Sequence, residues 1–227
     1  MLRKICLTVM LGLALTAVAV NASASPVYVY AYLSGDPRPA EPDNIFVDVT
    51  ISWDTATSPN DALWTVDVNS PAHPSAKLGA FGFNLVGLGT DYTFSAFSPA
   101  AWSISGPSFV PGTGNMNFMF VANDPALPGN DVTNAVDLTF KMTKIGGTLS
   151  EADFMGAPAS CSNDAWLGCH QLAAHVQSLV PGTAGLDSGA AIGDFTFDSP
   201  IPPVPEPASL LLFSTGLVGL RACRKRR

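Results

Sequence analysis

The chain has 227 residues, of which 47% are hydrophobic and 13% are charged, and its formal net charge is −7. This composition is too apolar for a disordered protein, and the 20 glycines and 19 prolines follow no three-residue period, which excludes a collagen-like chain. Seventeen of the eighteen acidic residues but only four of the eleven basic residues lie at 25–204, so this region carries a net charge of −13 and nucleic acid is not an expected partner.

The start of the chain has the three parts of a secretory signal peptide. Residues 3–4 are basic, residues 5–20 form an apolar run, and Ala22 and Ala24 supply the small side chains that a signal peptidase requires. We therefore predict that residues 1–24 direct export and are removed by cleavage after Ala24.

Residues 25–199 alternate apolar and polar side chains in short runs. A period of two is typical of strands that bury one face, and turn sequences at 58–61, 111–114, 128–131 and 146–147 separate the runs. We predict one all-β domain, an antiparallel β-sandwich or jelly roll of about nine strands. The expected core-facing residues are Ile45, Val47, Val49, Ile51, Trp53, Trp64, Val66, Val68, Phe81, Phe83, Leu85, Tyr92, Phe94, Trp102, Ile104, Met116, Phe118, Phe120, Val136, Leu138, Phe140, Met142, Leu172, Ala174, Val176, Phe195 and Phe197.

The order of apolar segments in this domain resembles that of cohesin-like and carbohydrate-binding jelly rolls. The segments are 79–85, 101–102, 116–120 and 136–140. The resemblance implies a fold and carries no activity by itself.

The exported domain contains two cysteines, Cys161 and Cys169. Such a pair outside the cytoplasm predicts a disulfide that closes a short loop. The alternative adds His170 and His175 as further zinc ligands, but the spacing matches no standard zinc site, and two histidines five residues apart in one strand face opposite sides. His73 lies in a proline-flanked loop, and we expect no metal site there.

The sequence contains no recognised catalytic motif. A nucleophile elbow, a zinc-protease motif, a phosphate-binding loop and a dinucleotide fingerprint are all absent. The domain has two glutamates, Glu41 and Glu151, so a paired-carboxylate hydrolase would depend on its aspartates. We predict that the protein is not an enzyme and holds no cofactor, with an unrecognised extracellular hydrolase as an alternative.

Calcium is the one ion that the loop composition suggests. Asn123, Asp124, Asn130 and Asp131 bracket a proline- and glycine-rich loop, and oxygen ligands on loops suit calcium. Asparagine and aspartate also favour turns, and turn formation is the preferred explanation of these residues.

One of the four tryptophans is a candidate sugar contact. Trp53 and Trp64 lie on the apolar faces of their predicted strands, where the core is the expected environment. Trp166 lies in the loop between the two cysteines, where an exposed ring is free to stack on a sugar.

Residues 200–227 have three parts in a fixed order. Residues 200–207 form a stiff proline-rich spacer, and residues 208–220 are uncharged and apolar. As a helix, the apolar segment spans roughly 20 Å, less than the ~30 Å hydrocarbon core, so it predicts a transient transmembrane helix. The positive-inside rule keeps the basic tail, 221–227, in the cytoplasm. The basic residues of this stop are Arg221, Arg224, Lys225, Arg226 and Arg227.

Pro205, Glu206 and Pro207, followed by the short apolar helix and the basic end, resemble the PEP-CTERM sorting signal. The resemblance implies recognition of these three residues by an exosortase-type transpeptidase during transit through the inner membrane. It also implies delivery to the envelope, outer surface or extracellular matrix of a Gram-negative bacterium, often together with exopolysaccharide and biofilm. An ordinary single-span anchor is the alternative.

Similar tails are catalogued under the name of ice-binding proteins, but ice binding needs a flat, regular array of threonines. Thr50, Thr65, Thr139 and Thr143 are expected to form no such array. The sequence as a whole predicts an exported, surface-sorted protein with a structural or adhesive role. A carbohydrate-binding module that acts on exopolysaccharide is the main alternative, and signal peptidase, exosortase and the membrane are the expected partners.

Overall fold

A computed structural model describes residues 26–35, 42, 44–161, 168–181 and 185–197. The predicted signal peptide, the sorting tail from 200 onward and the loop residue Trp166 lie outside these ranges. Within them, no helix has the length and apolar character needed to cross a membrane.

The regular secondary structure of the described chain is almost entirely β, which confirms the predicted all-β class. It contains fifteen mostly short strands where the sequence predicted about nine, together with a 3-10 turn at Gly89–Asp91 and one short helix, α1 (Ala152–Met155). The strands are β1 (Val27–Gly35), β2 (Phe46–Trp53), β3 (Asp61–Val68), β4 (Lys77–Phe83), β5 (Tyr92–Ser98), β6 (Ser103–Ser105), β7 (Ser108–Phe109), β8 (Asn117–Phe118), β9 (Phe120–Asn123), β10 (Leu138–Lys144), β11 (Ser160–Cys161), β12 (Cys169–His170), β13 (Leu172–Gln177), β14 (Gly189–Gly193) and β15 (Phe195–Thr196).

Eleven of these strands form one antiparallel sheet. Its order is β5-β10-β3-β2-β1-β14-β13-β4-β9-β6, and β15 pairs with β1. Strand β1 is therefore central, with β2 along one side and both β14 and β15 along the other. The remaining strands form two small ribbons, β7–β8 and β11–β12.

The long sheet folds back on itself around the main core, and a second, smaller core cluster contains Met116 and Phe118. Trp64 on β3 lies 4.5 Å, ring centre to ring centre, from Phe83 on β4, although four strands separate β3 from β4 within the sheet. In the same way, Phe94 on β5 lies 4.8 Å from Phe120 on β9. The two halves of the sheet thus face each other as in the predicted antiparallel β-sandwich.

The two clusters contain or contact nearly all the residues that the sequence placed in the core, including Trp53, Trp64 and Trp102. Val136 and Phe197 are exceptions, because they are 45% and 36% exposed. Of the strands in the large sheet, the sequence analysis missed two, β1 and β14. Both lie in the middle of the sheet.

Candidate functional site

The outer side of β1 carries a row of aromatic side chains. The intervening residues of β1 are buried in the core, so Tyr28, Tyr30 and Tyr32 lie on the opposite side of the strand. Tyr28 is 42% exposed and Tyr32 is 56% exposed. We call these three tyrosines together with Phe46, on the neighbouring strand β2, the aromatic face.

The rings of the aromatic face are ordered in pairs. Tyr28 and Tyr30 have ring centres 6.0 Å apart and planes within 12°, and Tyr32 and Phe46 have ring centres 5.6 Å apart and planes within 22°. Mutual packing of this kind holds aromatic side chains in place. The face therefore offers ordered, partly exposed rings. The sequence analysis missed this face, although three tyrosines at alternate positions of 27–33 are typical of a strand with one aromatic side.

Carboxylates lie beside the aromatic face. Tyr32 is opposite Asp48, and Asp48 is opposite Asp67 on β3. Asn69 donates a hydrogen bond of 2.9 Å from Nδ2 to Oδ2 of Asp48. Burial raises the pKa of Asp67, and the charges of Asp137 and Asp48 raise it further. We call Asp48, Asp67 and Asp137 the acidic row.

Threonines form a second row on the same side of the sheet. Tyr30 is opposite Thr50, Thr50 is opposite Thr65, and Thr65 is opposite Thr139. Three of the four threonines therefore form a single cross-strand row, which is not the flat, regular array that ice binding needs. Thr143 is opposite Asp61 and donates to Oδ1 of that residue at 2.6 Å. A single row of threonines stabilises the sheet through cross-strand pairs.

The cysteines form the predicted disulfide rather than a zinc site. Cys161 and Cys169 are bonded, with Cα atoms 4.3 Å apart, and join β11 to β12. Because both sulfurs are in the disulfide, neither is a thiolate ligand. The two histidines of the zinc alternative lie on different strands, not one: His170 on β12, with Nδ1 3.0 Å from Oδ2 of Asp194, and His175 on β13. Burial lowers the pKa of His175.

Buried polar side chains connect the disulfide ribbon to the sheet. Asn84 donates from Nδ2 to Oγ of Ser160 at 2.8 Å, and that hydroxyl donates to the carbonyl oxygen of Asn117 at 2.6 Å. Gln171 donates from Nε2 to the carbonyl oxygen of Ala157 at 2.7 Å. These groups are hydrogen-bonded within the fold, so their role is structural.

The residues considered for calcium have structural contacts. Asp124 accepts the Ala126 amide through Oδ1 at 2.9 Å, which is turn geometry. Asp131 pairs with Lys77 at 2.9 Å. Across the described ranges, no group of three or more His, Cys, Asp or Glu side chains is arranged to hold a metal ion. His73 lies, as expected, in a loop, the connection between β3 and β4. It is 4% exposed and accepts the Val180 amide through Nδ1 at 3.0 Å.

A groove of about 690 Å³ lies between β5 and β6, the two ends of the sheet. Tyr92 is the titratable residue of its lining, and its hydroxyl donates to the Val86 carbonyl at 2.6 Å. Burial, followed by the charge of Asp153, raises the pKa of Tyr92. The groove therefore offers apolar contacts rather than an acid–base pair. Its apolar lining includes Leu88, Phe94, Ile104, Met119 and Phe120.

Comparison with known proteins identifies the tail. A family model of the PEP-CTERM protein-sorting motif matches residues 203–227, which include Pro205, Glu206 and Pro207. The chain carries a PEP-CTERM sorting signal. This signal marks an exported exosortase substrate that associates with the membrane in transit and is sorted to the surface or the exterior. No curated protein and no solved structure matches the chain.

Proposed function

We propose that the exported domain is a structural or adhesive component of the envelope or biofilm matrix of a Gram-negative bacterium. The observation that carries this proposal is the PEP-CTERM motif at 203–227, which directs the domain to the cell surface. The disulfide supports it, because disulfides persist outside the cytoplasm. By restricting the unfolded chain, this bond stabilises the folded domain by about 2–3 kcal/mol.

The sorting part of this proposal is tested with Glu206→Gln in the native host, with Glu151→Gln as the matched control. Glu151 is an exposed glutamate of the domain. We expect the wild type and the control to begin at Ser25, to lose the basic tail and to reach the surface. Glu206→Gln should keep its tail and stay in the inner membrane, as shown by intact mass and fractionation. Retention of the tail in all three proteins would contradict processing.

The adhesive part is tested separately in a deletion strain. We expect its biofilm to disperse more readily under shear, and expression of the wild type but not of Glu206→Gln to restore cohesion. Normal cohesion in the deletion strain would contradict an adhesive role while leaving the sorting result intact.

A carbohydrate-binding module that acts on exopolysaccharide is the second candidate function. The aromatic face favours it, because ordered, partly exposed rings match the apolar faces of pyranose sugars. A sugar contact at Trp166 also stays a prediction. The absence of enzymatic activity is likewise a prediction, which a screen of glycosidase and esterase substrates would overturn by finding turnover.

A further inference from the structure

The aromatic face is a solvent-exposed part of the outer side of the sheet. The inner side of β1 lies in the core, and its outer side leaves Tyr28 at 42% and Tyr32 at 56% exposure. Surface aromatics are common as single residues, whereas a contiguous ordered patch indicates a binding surface. The ring pairs are already packed against each other, so little side-chain entropy remains to be lost on binding.

The charges beside this face select among ligands. Asp48 lies directly opposite Tyr32 and next to Asp67, so the ring at this end of the face has carboxylates as neighbours. A protonated amine is attracted both to a carboxylate and to an aromatic ring. An acidic polymer would instead be repelled by these carboxylates.

The lysines of the described chain do not neutralise the acidic row. Lys77 pairs with Asp131, Lys141 with Asp61 and Lys144 with Asp153, all of which are carboxylates outside the row. Within the described residues, the acidic row therefore attracts an external cation to this end of the aromatic face.

We propose that the aromatic face binds a polysaccharide whose sugars carry free amino groups. Sugar rings pack on Tyr32 and Phe46, and their ammonium groups contact the carboxylates of Asp48 and Asp67. This inference rests on the second candidate function and names its ligand class. It is a binding role, with no covalent step.

The test measures binding of the full chain, purified in detergent, to four sets of oligosaccharides by calorimetry. The sets are glucosamine oligomers, their N-acetylated counterparts, neutral glucose oligomers and acidic uronate oligomers. We expect glucosamine oligomers, at a pH that protonates their amines, to bind about tenfold more tightly than the N-acetylated set, with no binding of uronates.

Matched variants separate the face from diffuse electrostatics. Tyr32→Ala and Asp67→Asn should each weaken binding by about fivefold or more. Phe109→Ala removes another exposed ring, and Asp187→Asn removes another exposed carboxylate; both should leave affinity within about twofold of the wild type. Circular dichroism of each variant establishes that the fold is retained.

Each outcome decides a different point. Equal weakening by Asp67→Asn and Asp187→Asn would overturn the site in favour of general attraction to a polycation. Equal binding of N-acetylated or neutral oligomers, lost in Tyr32→Ala, would overturn the amino-sugar ligand and leave the carbohydrate-binding function standing. Failure to bind any oligomer would overturn both. None of these results depends on tail processing, so the sorting proposal is tested independently.

Discussion

Asp153 is a buried carboxylate that ties helix α1 to the sheet. Its Oδ1 lies 2.7 Å from Nζ of Lys144, its Oδ2 accepts the Ser150 amide at 2.8 Å, and the Tyr92 hydroxyl lies 3.3 Å from Oδ1. Burial by itself raises the pKa of Asp153. The hydrogen bonds and charge of Lys144, with the hydrogen bonds from Ser150, outweigh burial and hold the pKa below its ordinary value.

This carboxylate should make stability depend on acid pH. A pKa lowered by folding contributes stability that is present above the unfolded value of 3.8 and is lost as pH falls through the folded value. We expect Asp153→Asn to lower the free energy of unfolding at pH 7 by about 3 kcal/mol, with a difference from wild type that shrinks below pH 4. Urea denaturation across pH, with the exposed Asp187→Asn as control, measures this. Parallel pH curves for wild type and Asp153→Asn would contradict it.

Strands β1 and β14 depend on a close backbone approach at one glycine. A Cβ at Gly193 would lie 2.6 Å from the carbonyl oxygen of Tyr32, and a backbone atom cannot move aside cheaply. We expect Gly193→Ala to destabilise the protein by about 2 kcal/mol and to weaken any ligand binding at the adjacent aromatic face. Gly106→Ala is the control, because its Cβ would meet nothing within 4 Å. Similar melting temperatures for the two variants would contradict this prediction, because they would mean that β1 moves away from the added Cβ at little cost.

Strands β1 and β14 also show why some strands could not be predicted from the sequence. Strand β2 was predictable because its buried face is apolar and its other face is mostly polar. Strand β1 alternates in burial too, but its outer positions are tyrosines, so the contrast in polarity is lost. Four of the five residues of strand β14 are glycine or alanine, and four of its five positions are buried, which leaves no alternation to detect.

Part of the candidate site could be predicted from the sequence, because one of its strand pairings is local. The hairpin β2–β3 fixes Asp48 opposite Asp67 through a local turn, so this pair follows once the turn register is known. The pairing of β1 with β14 joins residues far apart in the chain, such as Ser34 and Ile192, and no local signal encodes it. The PEP-CTERM motif is the opposite case, because its information lies in contiguous sequence.

At the scale of the whole molecule, negative charge is concentrated in the exported domain. In the acidic row, repulsion between neighbouring carboxylates destabilises the folded state. Asp48 and Asp67 are directly opposite each other, and like charges in such positions destabilise a sheet. Burial, with the charges of Asp137 and Asp48, raises the pKa of Asp67 in the folded state. A raised pKa has the opposite sign to that of Asp153: ionisation of Asp67 lowers stability as pH rises.

We therefore expect Asp67→Asn to raise the free energy of unfolding at pH 7 by about 0.2–1 kcal/mol. The gain should disappear as pH falls towards 3.8, where wild-type Asp67 takes up its proton, and should shrink at high salt because screening weakens the repulsion. Urea denaturation at two pH values and two salt concentrations measures both effects, and Asp187→Asn shows the effect of removing one charge elsewhere. A variant that gains stability while losing amino-sugar binding would mean that the acidic row serves ligand binding at the expense of the fold. A loss of stability at pH 7 would instead mean that the row is compensated within the domain and exerts little attraction on a cation.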